Sequence, residues 1–356
     1  MQIKKIITGL TILLLLTTSV FAAKAKKSNK DNGKLKVVTT IFPEYDWTRE
    51  ILGDNLKNVE LTLLLGNGVD LHSYQPSIQD IAKISTADIF IYVGGESDGW
   101  VKDALKNATN KNMKAINLLE TLGDKVKAEE IKEGMQAEED EEHEHHHHEG
   151  EHHDDDDDDE HDHEAEGEHH HHHDEEEIEY DEHVWLSLRN AKILSAEIAE
   201  ALCEKDPANA ASYKANLAAY KSKLDALDAK YTTTVKSASK NTILFGDRFP
   251  FRYLVDDYNL DYFAAFVGCS AETEASFETV IFLSKKVDEL GLNAVLKIES
   301  GDGKIARTIA QNAKNKNAKV LTLDSIQSTT AKQAASGTTY LSIMESNLKV
   351  LEEALK

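Results

Sequence analysis

"GVDLHSYQPSIQDIAKISTADIFIYVGG" (Gly68–Gly95) decides the fold. Pro76 and Ser77 mark a helix start, and Ile78, Ile81 and Ile84 recur at helical spacing. "DIFIYVGG" (Asp88–Gly95) is a short apolar run closed by two glycines, which reads as a buried strand. The run before it, "NVELTLLL" (Asn58–Leu65), reads the same way. Strand, loop, helix, strand is one turn of an α/β fold with parallel strands. His72 lies in the loop after a strand, where ligand-binding residues of such sheets collect. Alone, it could equally be a capping or surface histidine.

The alternation extends in both directions. "KLKVVTTIF" (Lys34–Phe42) predicts a strand, and a helix follows over Tyr45–Leu52. A helix near Val101–Lys106 and a strand at Lys114–Leu118 complete the first half. The second half predicts strands at Thr242–Gly246, Asp261–Val267, Ala294–Ile298 and Val320–Leu323. Its helices are expected at Phe251–Asp257, Phe277–Leu290, Lys304–Asn315 and Thr339–Leu355. The fold class is therefore α/β: two lobes with largely parallel sheets, and a cleft between them.

Between the lobes, one helix runs from Leu186 to about Cys203, and a second spans residues 204–238 without a breaker. Asp206 is a suitable N-cap and Pro207 a suitable first residue. Such length suits a rigid strut. The expected organisation is a signal peptide (1–23), a flexible leader (24–34), an N-terminal lobe (35–203), the linking helix (204–238) and a C-terminal lobe (239–356).

The N-terminus has Lys4 and Lys5, an apolar run from Ile6 to Leu16, and a small-residue cleavage site near Ala22. This predicts export. No cysteine follows the run, so lipid attachment there is excluded and a periplasmic location is expected, otherwise a cell-surface or extracellular one. The two cysteines, Cys203 and Cys269, are either a disulfide or separate thiols.

The net charge of -24 is misleading. The window from Glu138 to Glu182 holds 26 acidic residues and no Lys or Arg, which leaves 38 of the 64 acids against 40 basic residues elsewhere. No basic face calls for nucleic acid. Fourteen of the 16 histidines lie in the same window: His143, His145, His146, His147, His148, His152, His153, His161, His163, His169, His170, His171, His172 and His173. With so few apolar residues, the segment from about Gly123 to Tyr180 is expected to be disordered. Its imidazoles read as an accessory metal collector, or else as a solvated spacer. Tethered donors meet a nearby site at effective concentrations of about a millimolar. Imidazole must be neutral to bind, so capture there should weaken below about pH 6.

His183 opens "HVWLSL" (His183–Leu188), on chain anchored by Trp185, Leu186 and Leu188. It is either a site residue or the last of the histidine run. Together, Gly68–Gly95 and "HVWLSL" resemble the two ligand motifs of the solute-binding proteins that serve zinc and manganese ABC importers. The His-rich insertion resembles that of the zinc-uptake members. "VLKIESGDGKIARTIAQNAKNKNAKVLTLDSI" (Val295–Ile326) and "YLSIMESNLKVLEEAL" (Tyr340–Leu355) resemble the C-terminal lobe, so the likeness covers Lys34–Lys356.

The resemblance implies a cleft metal site built from His72, His183, a third His or Glu, and a carboxylate matching Glu299. It implies an ABC permease as partner, a monomer, and no enzymatic activity. No HExxH or GxSxG pattern is present. The third position departs from the family pattern: in "LFGDRFPFRYLVDDYNL" (Leu244–Leu260), Arg248 stands where the ligand is expected. Arginine stays protonated and cannot bind a cation. Three readings remain open: Asp247 substitutes, a histidine of the insertion swings in, or a water completes the site. Arg248 is expected to pair with Glu299 or Asp247. "AETEAS" (Ala271–Ser276) resembles an acidic turn that supports the cleft.

Imidazoles with one or two carboxylates suit Zn2+, whereas Mn2+ prefers more oxygen. The abundant imidazoles tilt the expectation to Zn2+, with Mn2+ as the alternative cargo, although the same donors would also take Cu2+ or Ni2+. A secreted metal-sequestering or adhesin protein is the other alternative.

Overall fold

The computed structural model describes residues 33–136, 179–270, 274–316 and 318–356. The signal peptide, most of the leader, the fourteen clustered histidines and residues 271–273 of the acidic turn lie outside the described residues. Lys34–Lys356 forms one compact unit.

In the first half, β1 (Leu35–Thr39), α1 (Phe42–Leu52), β2 (Val59–Leu63), α2 (Ile78–Ser85), β3 (Ile89–Tyr92), α3 (Val101–Lys106), β4 (Lys114–Asn117) and α4 (Leu118–Leu122) alternate. The four strands form a parallel sheet of order β2-β1-β3-β4. Val37, Ile89, Phe90 and Ile91 are buried, as expected for strands covered on both faces. The helix start predicted at Pro76 falls two residues later, at Ile78. Ser77 is the N-cap, its hydroxyl accepting from Asp80 N–H. Of the isoleucine stripe only Ile84 is buried, and Ile78 is exposed.

α5 (Leu188–Lys205) and α6 (Ala210–Ser237) lead to the second half, which contains β5 (Thr242–Leu244), α7 (Arg252–Tyr258), β6 (Asp261–Phe263), α8 (Phe277–Glu289), β7 (Ala294–Lys297), α9 (Lys304–Asn312), β8 (Lys319–Thr322), α10 (Ala331–Ala335) and α11 (Tyr340–Ala354). β5 pairs with β6 and β7 with β8, all parallel. A parallel bridge from Phe245 to Leu296 joins the two pairs in the order β6-β5-β7-β8. That repeats the order of the first sheet: each half starts at an inner strand, steps to one edge and returns across the sheet. The α/β architecture with two sheets and a long helix is as expected. One continuous apolar core runs from Val37 and Trp47 through Trp185 to Tyr340 and Leu351, so the halves share buried residues.

α6 is 28 residues long, about 42 Å at the helical rise. Tyr213, Tyr220, Leu224, Leu227 and Tyr231 form its buried stripe. Asn216 donates to the Ile51 carbonyl in the first half (2.9 Å), and Tyr231 donates to the Met344 carbonyl in the second (2.6 Å). Asp206 and Pro207 begin a short 3-10 turn rather than α6 itself. The Asp206 carboxylate accepts from Asn209 and Tyr213.

The disorder expected from Gly123 stops short of the structure. Residues 123–136 are folded and cross from the first half to the second. Asp181 N–H donates to the Lys127 carbonyl, and Glu129 N–H to the Glu179 carbonyl, closing a short antiparallel ladder. Gln136 N–H donates to the Ala265 carbonyl, while Ser276 N–H donates to the Gln136 side chain. Val126 and Met135 pack on the core. Those two apolar anchors are diluted in sequence by the charge around them.

Candidate metal centre

His72 sits in a one-turn 3-10 helix, Leu71–Ser73, beyond the end of β2. Asp70 caps the turn by accepting from His72 N–H (3.1 Å). The ring Nδ1 meets Ser97 Oγ at 2.7 Å and lies 3.6 Å from Glu182 Oε2. Those contacts aim Nε2 into the cleft. Burial and the neighbouring His183 push the His72 pKa down to about 3, so the ring is neutral at neutral pH, with a proton on one nitrogen and a lone pair on the other.

His183 is fully buried and precedes a second 3-10 turn, Val184–Leu186. Asp181 Oδ1 accepts from His183 backbone N–H (2.8 Å) and lies 3.1 Å from Nδ1. The turn is locked in place: Trp185 Nε1–H donates to the Ser325 carbonyl, and Tyr340 O–H donates to the Trp185 carbonyl. Each imidazole thus has one nitrogen held by a neighbour and the other turned outward, the arrangement that orients metal-binding histidines.

The two outward nitrogens face each other. His72 Nε2 and His183 Nε2 are 3.1 Å apart. Two ligands on one tetrahedral zinc would be separated by about 3.3 Å, from a zinc–nitrogen distance of about 2.05 Å. Cys269 is the third member: among the described residues, His72, His183 and Cys269 bring their ligand atoms within 4.8 Å of one another. The Gln327 amide, with its NH2 group turned to the Asp70 carboxylate as hydrogen bonding requires, places its oxygen 3.0 Å from His183 Nε2. Nitrogen, sulfur and oxygen atoms able to ligate a cation are thus gathered in one small region.

A family model described as zinc-uptake complex component A, periplasmic, matches residues 37–354. This chain belongs to that family. Its members are transport components and not enzymes, in line with the sequence expectation. The chain is 30% identical over 344 residues to the zinc-binding lipoprotein AdcA of Streptococcus pneumoniae, covering 97% of this chain and 60% of that one. It is 29% identical to the high-affinity zinc uptake system protein ZnuA of Bacillus subtilis, over 90% of this chain and 88% of that one. The crystal structure of the Zn(II)-bound ZnuA-like domain of Streptococcus pneumoniae AdcA superposes with a TM-score of 0.63 at 27% identity, covering 91% and 99% of the two chains. This chain therefore spans about 60% of the length of the AdcA proteins it matches.

The two carboxylates named from the sequence, Glu299 and Asp247, are each engaged with other partners in this structure. Glu299, at the end of β7, accepts from the backbone N–H and hydroxyl of both Ser325 and Ser328. Its lone pairs are committed to organising the loop after β8, and it is not in the convergent group. Asp324 beside it has its carboxyl raised to about 7 by burial and by the Glu299 charge. Asp247 accepts from the backbone N–H groups of Arg248 and Ile298 and lines a cavity of about 540 Å³ beside the centre. It too stands outside the group. Arg248 pairs with Asp70, and with neither Glu299 nor Asp247 as expected. Asp70 comes from the His72 loop, so this ion pair and the Gln327 contact tie that loop to the second half.

The cysteines are not joined: both are free thiols. Cys203 donates to the Ala210 carbonyl at 3.6 Å, at the α5–α6 junction. Cys269 N–H donates to Glu129 at 3.1 Å, and the thiol hydrogen-bonds the same carboxylate. Burial and the nearby Glu129, Asp181 and Glu182 push the thiol pKa well up. Gly268 precedes it, and a Cβ there would lie 3.2 Å from two His183 ring atoms and 3.0 Å from the Phe249 carbonyl. Glycine lets the Cys269 loop lie against the imidazole. Sequence reasoning weighed Cys269 only for a disulfide. Its position just beyond the end of a strand, in the half opposite the histidines, was the available signal. Asp181 and Glu182 were hidden as the last letters of an acidic run.

Proposed function

We propose that this chain captures Zn2+ between its two lobes, on His72 and His183, and delivers it to an ABC permease for import. The observation that carries the reading is the 3.1 Å separation of two imidazole nitrogens, each fixed from behind by an acid or hydroxyl. The relatives' names point to the same cargo. Lobes at residues 35–203 and 239–356, joined by the helix at 204–238, form the walls of the site. α6 is bonded to both halves, so the ion enters and leaves by small movements of the His72 and Cys269 loops rather than wide opening. Nitrogen-rich donors favour zinc over manganese. The signal-like N-terminus supports a mature protein that works outside the cytoplasm, in a periplasm, as a monomer. No helix among the described residues is long and apolar enough to cross a membrane. The histidines between His143 and His173 serve as an accessory zinc collector.

The test is a competitive titration of the mature protein with zinc and manganese, beside a version lacking residues 137–178. One tight zinc site should survive the deletion, and weak sites should vanish. His183→Ala should weaken the tight site by about a hundredfold or more in both versions. Loss of tight binding with the insertion alone would place the site in the insertion and overturn the cleft reading.

A further inference from the structure

We infer that Cys269 is the third protein ligand of the cleft, which makes the site a two-histidine, one-thiolate centre selective for zinc-like cations. The inference rests on the cleft reading above and names what completes it.

Three observations converge. The Cys269 sulfur and one ring nitrogen of each of His72 and His183 lie within 4.8 Å of one another, and no carboxylate of the described residues joins them. The Arg248 side chain is withdrawn into its pair with Asp70, and Asp247 and Glu299 are spent on backbone and serine donors. Gly268 admits the loop to contact distance with His183, and the backbone N–H of Cys269 is held by Glu129. The first half thus supplies two nitrogens and the second half one sulfur, so the ion bridges the cleft through one bond to the far wall.

Zinc binds such mixed nitrogen and sulfur sets tetrahedrally and leaves a fourth position open for water. As the metal–sulfur bond forms, the thiol proton leaves to solvent and the thiolate supplies both bonding electrons. Manganese favours oxygen ligands and gains little from sulfur, so the thiolate sharpens discrimination against it.

The experiment uses the full mature chain. Co2+ is added to one equivalent, and the thiolate-to-metal charge-transfer absorption is read. The insertion contains no cysteine, so its histidines cannot produce this band. The band is expected in the wild type and in Cys203→Ser, and absent in Cys269→Ser. Zinc affinity should fall in Cys269→Ser by about tenfold or more, with a smaller loss for manganese. Zinc-edge X-ray absorption of the unmutated protein gives a readout free of folding effects: one sulfur at about 2.3 Å is expected. Tight zinc binding that needs His72 and His183 but shows no sulfur would overturn Cys269 and leave the cleft reading standing. Tight binding indifferent to both histidines would sink the cleft reading itself.

Discussion

Glu44, in the first turn of α1, is fully buried, and burial with the nearby Asp98 charge raises its pKa to about 8. The N–H groups of Thr40 and Ile41 and the Thr40 hydroxyl bond its Oε2 and offset only part of that cost. Between about 4.5 and 8 the folded chain holds this proton while the unfolded chain has released it. The unfolding free energy contributed by Glu44 must therefore fall as pH rises through that window. Glu44→Gln should flatten the decline, measured by denaturant unfolding at a series of pH values with the metal removed. A slope unchanged by the substitution would move the cause to Asp98, whose carboxyl burial raises to about 7. At the centre itself, His72→Ala and His183→Ala should each weaken zinc by about a hundredfold or more, since each removes one of few ligands. A competition assay with a chromophoric chelator reads this directly. Both histidines stood out as candidates in sequence because they lie apart from the cluster on patterned chain, and the structure brings their rings together. Cys269 was not, because a cysteine in an exported chain suggests a disulfide first, and only the folded loop shows what its sulfur faces.

The elements were read with small boundary errors because their signals are local: apolar runs closed by glycine, serine caps, unbroken helical spacing. α10 escaped because "AKQAA" has five residues and little apolar pattern. The strap at 123–136 escaped because two apolar anchors cannot be seen among so many charges. α6 carries the prediction at this scale. Asn216 and Tyr231 tie it to opposite halves and are 15 residues apart, about 22 Å along the helix. Asn216→Ala and Tyr231→Phe should each cost about 1 kcal/mol, and the double variant should cost their sum, because distant sites add. Urea unfolding of the three variants checks it, and strong non-additivity would mean that α6 acts as a hinge rather than a strut.

For the whole molecule, the two-lobe plan was legible from the repeated alternation, and the matching strand orders bear it out. The shared core was not, because burial between halves leaves no periodicity of its own. The ladder formed by Lys127, Glu129, Glu179 and Asp181 holds together the two ends of everything between them. Removing residues 137–178 should therefore leave the unfolding free energy within about 1 kcal/mol of the intact chain, since closing a loop depends only weakly on its length. Calorimetry of both chains measures it, and a larger loss would show that the segment supports the fold. The same ladder has a consequence for how such proteins diverge. A stretch fastened at its base can be lengthened, shortened or rewritten in composition while the site beside it keeps its shape. Lineages in metal-poor and metal-rich surroundings could then revise their scavenging appetite without renegotiating the fold.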